Sequence, residues 1–127
     1  MWLRVRIWLF IAAINGALAV AFGAFAAHGL SGRLDDGALG VFETGARYHM
    51  YHALAMGLAA LAMHDGATRT AKWSAILFMS GIALFSGSLY LLALTGLRAF
   101  AFVTPFGGVS FLAGWVLLAI AAMRIKP

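Results

Sequence analysis

The sequence has no cysteine and few charged residues. Without a thiol the chain can form no disulfide, no thiolate zinc site and no cysteine nucleophile. Only 10% of its residues are Asp, Glu, Lys or Arg, whereas 64% are hydrophobic and the mean hydropathy is +0.95. A soluble fold needs a polar outer surface, and charged residues this sparse cannot cover one. The composition therefore indicates an integral membrane protein with a single membrane domain, residues 1–127.

Two other classes of protein are disfavoured by what is missing. The net charge is +5, but the nine basic residues occur singly or in pairs and do not form the stripe that binds nucleic acid. There is no GxSxG motif, no HExxH motif and no pair of carboxylates of the kind that hydrolases use. We therefore expect a protein that is not an enzyme and that binds no nucleic acid.

Long uncharged stretches predict membrane-spanning helices. Residues 7–27 carry no charge, and a helix of these 21 residues, at about 1.5 Å each, crosses a hydrocarbon core of roughly 30 Å. Residues 73–97 and 99–123 are also uncharged, and Thr104 followed by Pro105 suits a helix start, with threonine as the N-cap. We predict spans at about residues 5–28, 41–63, 72–95 and 104–123, with an outer loop and helix start over residues 29–40.

The second span is the least hydrophobic, because its uncharged stretch, residues 48–63, has only 16 residues and includes two histidines. The helix must therefore extend upstream. A start near Asp35 or Asp36 places acidic residues at the helix N-terminus, where the helix dipole favours them. Glu43 and Arg47 then lie at positions i and i+4, where they can pair at the membrane surface.

Basic residues predict the orientation, because cytoplasmic loops are enriched in lysine and arginine. With the N-terminus inside, the cytoplasmic side carries Arg4, Arg6, Arg69, Lys72, Arg124 and Lys126, and the outer side carries Arg33, Arg47 and Arg98. The inner side thus holds the larger share of basic residues. The sequence therefore predicts an all-α fold, an integral membrane four-helix bundle with an N-in/C-in orientation.

Small residues recur at helical spacing on three of the spans. Helices in lipid associate where small residues let their backbones approach. The three stripes are Asn15, Ala19, Gly23 and Ala27; Ser80, Ala83 and Gly87; and Gly107, Ser110 and Gly114. We expect them to pack helices of the same chain together, with Asn15 bonding a neighbouring helix. A homo-oligomer or a larger membrane complex is the alternative that the stripes leave open.

Several polar side chains fall within or beside the spans, toward the predicted outer side. Ionisable groups in hydrocarbon are costly and therefore mark candidate functional sites. The candidates for one outer-leaflet pocket are His28, Glu43, Arg47, His49, His52, Ser86, Tyr90 and Thr104. The alternative for each is a structural role, with the histidines and tyrosines in the interfacial belt and Ser86 bonded to its own helix backbone.

A metal or haem site at His28, His49 and His52 is a further hypothesis, because imidazole is a common ligand. His49 and His52 are separated by three residues, which permits a shared ligand, but no further ligand is fixed by spacing. We therefore predict no metal and no cofactor.

Four segments of the sequence resemble one family of membrane proteins. They read GAFAAHGL at residues 23–30, YHMYHALA at 48–55, FSGSLYLLALTG at 85–96 and TPFGGVSFLAGW at 104–115. Together they resemble the bacterial "domain of unknown function 423" family, itself similar to the eukaryotic transmembrane protein 256 group, over nearly the whole chain. Ala26 departs from the glycine that we expect there in the family. The resemblance implies an integral protein of the bacterial inner (plasma) membrane and supplies no catalytic residue.

The leading functional hypothesis is a noncatalytic structural or accessory membrane protein, or one that binds a lipid or small apolar ligand in the outer pocket. Membrane lipids are its expected partners. One rival is a small transporter or proton relay that uses His52 with Glu43 and Arg47, although the spans lack a mid-membrane carboxylate and a broken helix pair. The other rival is a haem or metal-binding membrane protein.

Overall fold

The computed structural model describes residues 2–127, which form helices and no β-strand. The α-helices are α1 (Trp2–Phe25), α2 (Asp36–Leu61), α3 (Thr68–Gly81), α4 (Gly87–Thr95) and α5 (Thr104–Arg124). The wider π-helical turn Ala26–Leu30 extends α1, the π-helical turn Ile82–Ser86 joins α3 to α4, and the 3₁₀ turn Arg98–Phe102 leads into α5. The chain therefore folds into four long helical segments, one of which is α3–α4.

Three of the four segments are long and apolar enough to cross a membrane: Trp2–Leu30, Thr68–Thr95 and Arg98–Arg124. The remaining segment, α2, has 26 residues, and at about 1.5 Å per residue its length is comparable with a bilayer. Its first half carries the charged residues Asp36, Glu43 and Arg47, and His49 and His52 follow in its second half; these polar residues lower its hydropathy. The expected all-helical architecture, with helices long and apolar enough to cross a membrane, is therefore confirmed.

Local sequence signals set the helix boundaries. Asp35 is the N-cap of α2, and its carboxylate accepts a hydrogen bond of 2.7 Å from the Ala38 N–H. This confirms the predicted start of the helix. The predicted capping role of Thr104 is wrong, because Val103 occupies the cap position of α5 and the Thr104 hydroxyl lies 2.6 Å from that of Ser88. The threonine thus joins α5 to α4 instead of closing its own helix end.

The helix α2 lies between the other helical segments. It packs against α1 and against α3–α4, while α5 packs mainly on α3 and the π-helical turn that follows it. The ring of Trp2 contacts that of His64, with centroids 5.8 Å apart, and the Lys126 N–H donates to the Asp65 carbonyl at 3.3 Å. Because His64 and Asp65 belong to the α2–α3 loop, both ends of the described chain lie beside that loop.

The predicted stripe of small residues on α5 lies against α3–α4 of the same chain. A Cβ on Gly107 would collide with the backbone of Phe85, and a Cβ on Gly114 would lie 2.8 Å from the ring of Phe78. Ser110 Oγ donates to a backbone carbonyl of α3 at 2.7 Å. The two helices therefore approach closely because these positions carry small side chains or none.

Only the first part of the predicted stripe on α1 is buried against other helices. Asn15 and Ala19 are buried and Gly23 is half-buried, but Ala27 is exposed and its neighbour Ala26 is fully buried. In a helix of about 3.6 residues per turn, a step of four residues overshoots one turn by about 40°. A strict four-residue stripe therefore rotates out of a straight interface.

The stripe on α3–α4 is also only partly buried: Ser80 and Gly87 are half-buried and Ala83 is exposed. The face toward α5 includes Ser74, whose hydroxyl donates to the carbonyl of Gly114 at 2.7 Å. It also includes Gly81, where a Cβ would collide with the ring of Phe111. The contact face of α3 therefore differs from the predicted one by a rotation about the helix axis.

Candidate functional site

The eight predicted pocket residues do not form one pocket. His49, His52 and Ser86 are buried, Tyr90 and Thr104 are half-buried, and His28, Glu43 and Arg47 are exposed. Exposed side chains face the surroundings of the helices. The structure therefore buries, fully or in part, five of the eight predicted residues and leaves His28, Glu43 and Arg47 exposed at the surface.

His49 lies in the middle of a hydrogen-bonded chain that joins three helices. Its Nε2 is 3.0 Å from Oδ1 of Asn15 on α1, and its Nδ1 is 2.9 Å from the hydroxyl of Tyr90 on α4. Asn15 Nδ2 donates to the Ile11 carbonyl at 2.9 Å and contacts the sulfur of Met79 at 3.4 Å. The expectation that Asn15 bonds a neighbouring helix is confirmed, and its partner is His49.

The partners of His49 assign the protons along this chain. The amide nitrogen of Asn15 donates to a carbonyl, so its oxygen faces His49 and accepts from Nε2–H. The neutral imidazole then accepts from the Tyr90 hydroxyl through Nδ1. The chain therefore runs from Tyr90 through His49 to Asn15 and satisfies both ring nitrogens within the protein.

His52, three residues further along α2, belongs to a separate system that faces α5. Its Nδ1 is 2.7 Å from the Tyr48 carbonyl, and the indole N–H of Trp115 donates to its Nε2 at 3.1 Å. A carbonyl only accepts and an indole nitrogen only donates, so this imidazole is neutral and carries its proton on Nδ1. Its ring stacks on Phe111, with centroids 3.4 Å apart and an interplanar angle of 7°.

Beside His52 an open groove of about 630 Å³, here called the aromatic groove, runs between α2 and α5. The residues that shape its walls include Tyr48, Tyr51, Phe85, Val109, Leu112 and Trp115. Several of these are strongly exposed, among them Val109 at 65% and Leu112 at 68%. The groove therefore opens sideways toward whatever surrounds the helices, which for a membrane protein is lipid.

The histidines do not converge on one point. His49 faces α1 and α4, His52 faces α5, and His28 is exposed near the end of the first segment. Within residues 2–127, no three histidine, aspartate or glutamate side chains are grouped so that they could hold a metal ion. The geometry therefore separates the two buried imidazoles into two structural systems.

Ser86 is fully buried in the π-helical turn between α3 and α4. Within residues 2–127 its hydroxyl has no hydrogen-bond partner, so the alternative considered above, a bond to its own helix backbone, is not formed. A π-helical turn widens the helix, which changes the position of the preceding carbonyls relative to the side chain.

The sequence reasoning missed two parts of the site. Trp115 was not identified, although an indole within a span needs a partner for its N–H and was therefore a usable signal. Tyr48 was also missed; its carbonyl accepts from His52 and its ring lies 4.9 Å from that of Phe85.

Residues 22–108 match the model of a family described as "Protein of unknown function (DUF423)". The chain belongs to this family. It is 48% identical over 121 residues to the UPF0382 inner membrane protein YgdD of Escherichia coli (strain K12), covering 95% of this chain and 92% of that protein. It is 42% identical over 124 residues to the UPF0382 membrane protein YwdK of Bacillus subtilis (strain 168), covering 94% of this chain and 98% of that protein. No solved structure matches the chain.

The family resemblance inferred from the four sequence segments is thereby confirmed. This DUF423 protein is a membrane protein of the bacterial inner (plasma) membrane. The part matched by the family model, residues 22–108, contains His49, His52 and Tyr90, whereas Asn15 and Trp115 lie outside it. Each buried imidazole therefore has one of its partners beyond the matched part.

Proposed function

We propose that this DUF423 protein is a noncatalytic membrane protein that crosses the bilayer four times and holds one acyl chain of a membrane lipid in the aromatic groove. The observation that carries the proposal is the groove itself. It has a volume of about 630 Å³, opens sideways, and includes no acidic residue, lysine or arginine among its lining residues. Such a surface offers an apolar guest dispersion contacts with several rings.

The direction of the groove also favours an acyl chain. Along α5 its lining extends from Pro105 to Trp115, a distance of about 15 Å at roughly 1.5 Å per residue. The groove therefore follows the helix axes, and spanning helices run broadly along the bilayer normal, as lipid tails do. A tail can enter from the side without leaving the hydrocarbon layer.

The proposed orientation has four spans and both ends in the cytoplasm. It is supported by the length of α2, by the larger number of basic residues on the predicted inner side, and by the contacts of Trp2 and Lys126 with the α2–α3 loop. In this orientation the α2–α3 loop is cytoplasmic. Residues 31–35 and 96–103, at the other end of the helices, then face outward.

A noncatalytic role is supported by the hydrogen bonds that both buried imidazoles make within the protein. Each ring nitrogen of His49 and His52 is already bonded within the protein. A general base needs a nitrogen within reach of a substrate proton, and these nitrogens are engaged by Tyr90, Asn15 and Trp115 or by the backbone. The histidines therefore suit the task of holding helices in register.

The rival proton relay has less support. Glu43 and Arg47 are exposed, whereas His52 is buried against α5, so the three do not adjoin as a relay requires. The other chain of polar groups ends where Asn15 donates to the Ile11 carbonyl. A neutral amide bonded to a backbone carbonyl has no titrating group to pass a proton onward. The lipid-binding proposal is therefore preferred.

The proposal is tested by measuring lipid that stays bound after purification in mild detergent, using native mass spectrometry. Gly108→Leu and Val109→Trp each place bulk in the groove, and Val109 is exposed enough to accept a larger side chain. Gly23→Leu is the matched control, because a Cβ there meets nothing within 4 Å and the position is outside the groove. Circular dichroism establishes that each variant is helical.

We expect the wild type and Gly23→Leu to retain one lipid per chain, and both groove variants to lose most of it. Equal retention by all four folded proteins would refute acyl-chain binding in this groove.

A further inference from the structure

A second groove, here called the charged groove, lies at the end of the bundle away from the α2–α3 loop. Its volume is about 670 Å³, and its lining includes one acidic and one basic residue, Asp35 and Arg98. Asp35 caps α2, and Arg98 begins the 3₁₀ turn that leads into α5. Both side chains are exposed, so their charges lie at the protein surface and are not buried in the core.

The charged groove and the aromatic groove are lined by the same three helical segments: α2, α3–α4 and Arg98–Arg124. Their lining residues recur seven positions apart: Val41 and Tyr48, Leu92 and Phe85, Ala101 and Gly108. In an α-helix seven residues make about 700°, nearly two full turns, and rise about 10 Å. Val41 and Tyr48 belong to the continuous α-helix α2, so these two side chains point in nearly the same direction at two depths. The other two pairs show that the α3–α4 segment and the segment Arg98–Arg124 also line both grooves. In all three pairs the member in the charged groove is the one nearer the outer end.

We infer that the charged groove holds the headgroup of a zwitterionic phospholipid whose tail lies in the aromatic groove. This inference rests on the proposed function. Such a headgroup carries a phosphate anion and an ammonium cation. The guanidinium of Arg98 presents several donors in a fork that matches phosphate oxygens. The carboxylate of Asp35 accepts from the ammonium.

The geometry at Asp35 is compatible with this second role. Oδ1 accepts from the Ala38 N–H at 2.7 Å, which leaves Oδ2 for a ligand. An anionic headgroup without an ammonium would bring a phosphate to Arg98 but would leave the carboxylate of Asp35 beside a negative charge. The pair of opposite charges therefore selects a zwitterionic headgroup over an anionic one.

Native mass spectrometry with two lipids tests the inference. The protein is reconstituted in equal amounts of phosphatidylethanolamine, which is zwitterionic, and phosphatidylglycerol, which is anionic, and the lipids that stay bound are measured. Arg98→Gln removes the positive charge, and Asp35→Asn removes the negative charge while keeping an equally good N-cap. Arg33→Gln and Asp36→Asn are matched controls, because they make the same changes at exposed positions outside the groove.

We expect the wild type to retain more phosphatidylethanolamine than phosphatidylglycerol. Arg98→Gln should reduce the retained phosphatidylethanolamine, and Asp35→Asn should reduce its ratio to phosphatidylglycerol, each by up to about fivefold, the range for exposed ion pairs. Both controls should match the wild type.

Two other results have distinct meanings. Suppose that Gly108→Leu abolishes lipid retention. If the wild type then retains both lipids equally, or if neither Arg98→Gln nor Asp35→Asn changes the amount or the ratio of the retained lipids, the headgroup inference is overturned and acyl-chain binding stands. If the wild type retains no lipid, or Gly108→Leu retains as much as the wild type, the proposed function fails and the headgroup inference fails with it.

Discussion

The indole N–H of Trp115 donates a hydrogen bond of 3.1 Å to Nε2 of His52 across the interface between α2 and α5. Because Nδ1 of the same imidazole is bonded to the Tyr48 carbonyl at 2.7 Å, the ring is held at both nitrogens. The Trp115 side chain is 42% exposed and forms part of the wall of the aromatic groove, while His52 is buried beside it. This hydrogen bond therefore fixes the shape of the groove as well as the position of α5.

Trp115→Phe removes the indole N–H and keeps an aromatic wall. We expect the free energy of unfolding to fall by about 1 kcal/mol, because Nε2 of His52 is buried and then has no donor. Unfolding by sodium dodecyl sulfate in mixed micelles, followed by circular dichroism, measures the change. Trp73→Phe is the control, since that indole is 52% exposed. Equal stability of the two variants would contradict the role assigned to Trp115.

The bond between Asn15 and His49 should appear as coupling in a double-mutant cycle. We expect Asn15→Ala and His49→Ala to be non-additive by about 0.6 to 1.7 kcal/mol, the range for hydrogen bonds between helices in membranes. Unfolding free energies of both single variants and the double variant give the coupling. A cycle of Asn15→Ala with His28→Ala, at an exposed histidine, should be additive. Strict additivity of the first cycle would count against the bond.

Two adjacent glycines should differ in how strongly the same substitution destabilises the protein. Gly107→Ala places a Cβ against the backbone of Phe85, which cannot move aside as a side chain can, whereas Gly108→Ala places its Cβ 3.9 Å from the Phe85 ring. We expect Gly107→Ala to cost about 1 to 3 kcal/mol, as overpacking does, and Gly108→Ala to change stability by less than about 1 kcal/mol. Thermal unfolding in detergent compares them; similar midpoints would refute the close approach of α5 to α3–α4.

The absence of cysteine allows the orientation to be tested with single introduced thiols. We expect Arg98→Cys to react with a membrane-impermeant maleimide in right-side-out vesicles, and Asp65→Cys to react only in inside-out vesicles. Both positions are exposed, so access to the reagent depends on the side of the membrane. Labelling of both residues from one side would contradict four spans with both ends in the cytoplasm.

The helix boundaries were largely readable from the residues, because they depend on local chemistry. Asp35 predicted the start of α2, and its carboxylate does cap that helix. Thr104 was the exception, since a hydroxyl near a helix start can cap its own helix or bond another one. In the structure the Thr104 hydroxyl bonds another helix, because the hydroxyl of Ser88, 16 residues away in the chain, lies beside it.

Which side chains come together in the candidate site was much harder to predict from the sequence. His49 bonds Asn15 and Tyr90, which lie 34 and 41 residues away in the sequence. Periodicity indicates which side chains share a face of one helix, but it does not indicate which helix that face meets. The sequence therefore predicts one pocket for His49, His52, Glu43 and Arg47, whereas the structure turns the two imidazoles toward different helices.

The sequence by itself determined that this protein is helical and belongs in a membrane, because hydropathy, charge content and stretch length are sums over residues that do not depend on how helices pack. The tertiary structure decided which polar groups meet, where the aromatic groove lies and which small residues form contacts. Those outcomes depend on the rotation of each helix about its axis and on its register against its neighbours. A rotation of one residue, about 100°, is enough to move a side chain from the core to the lipid.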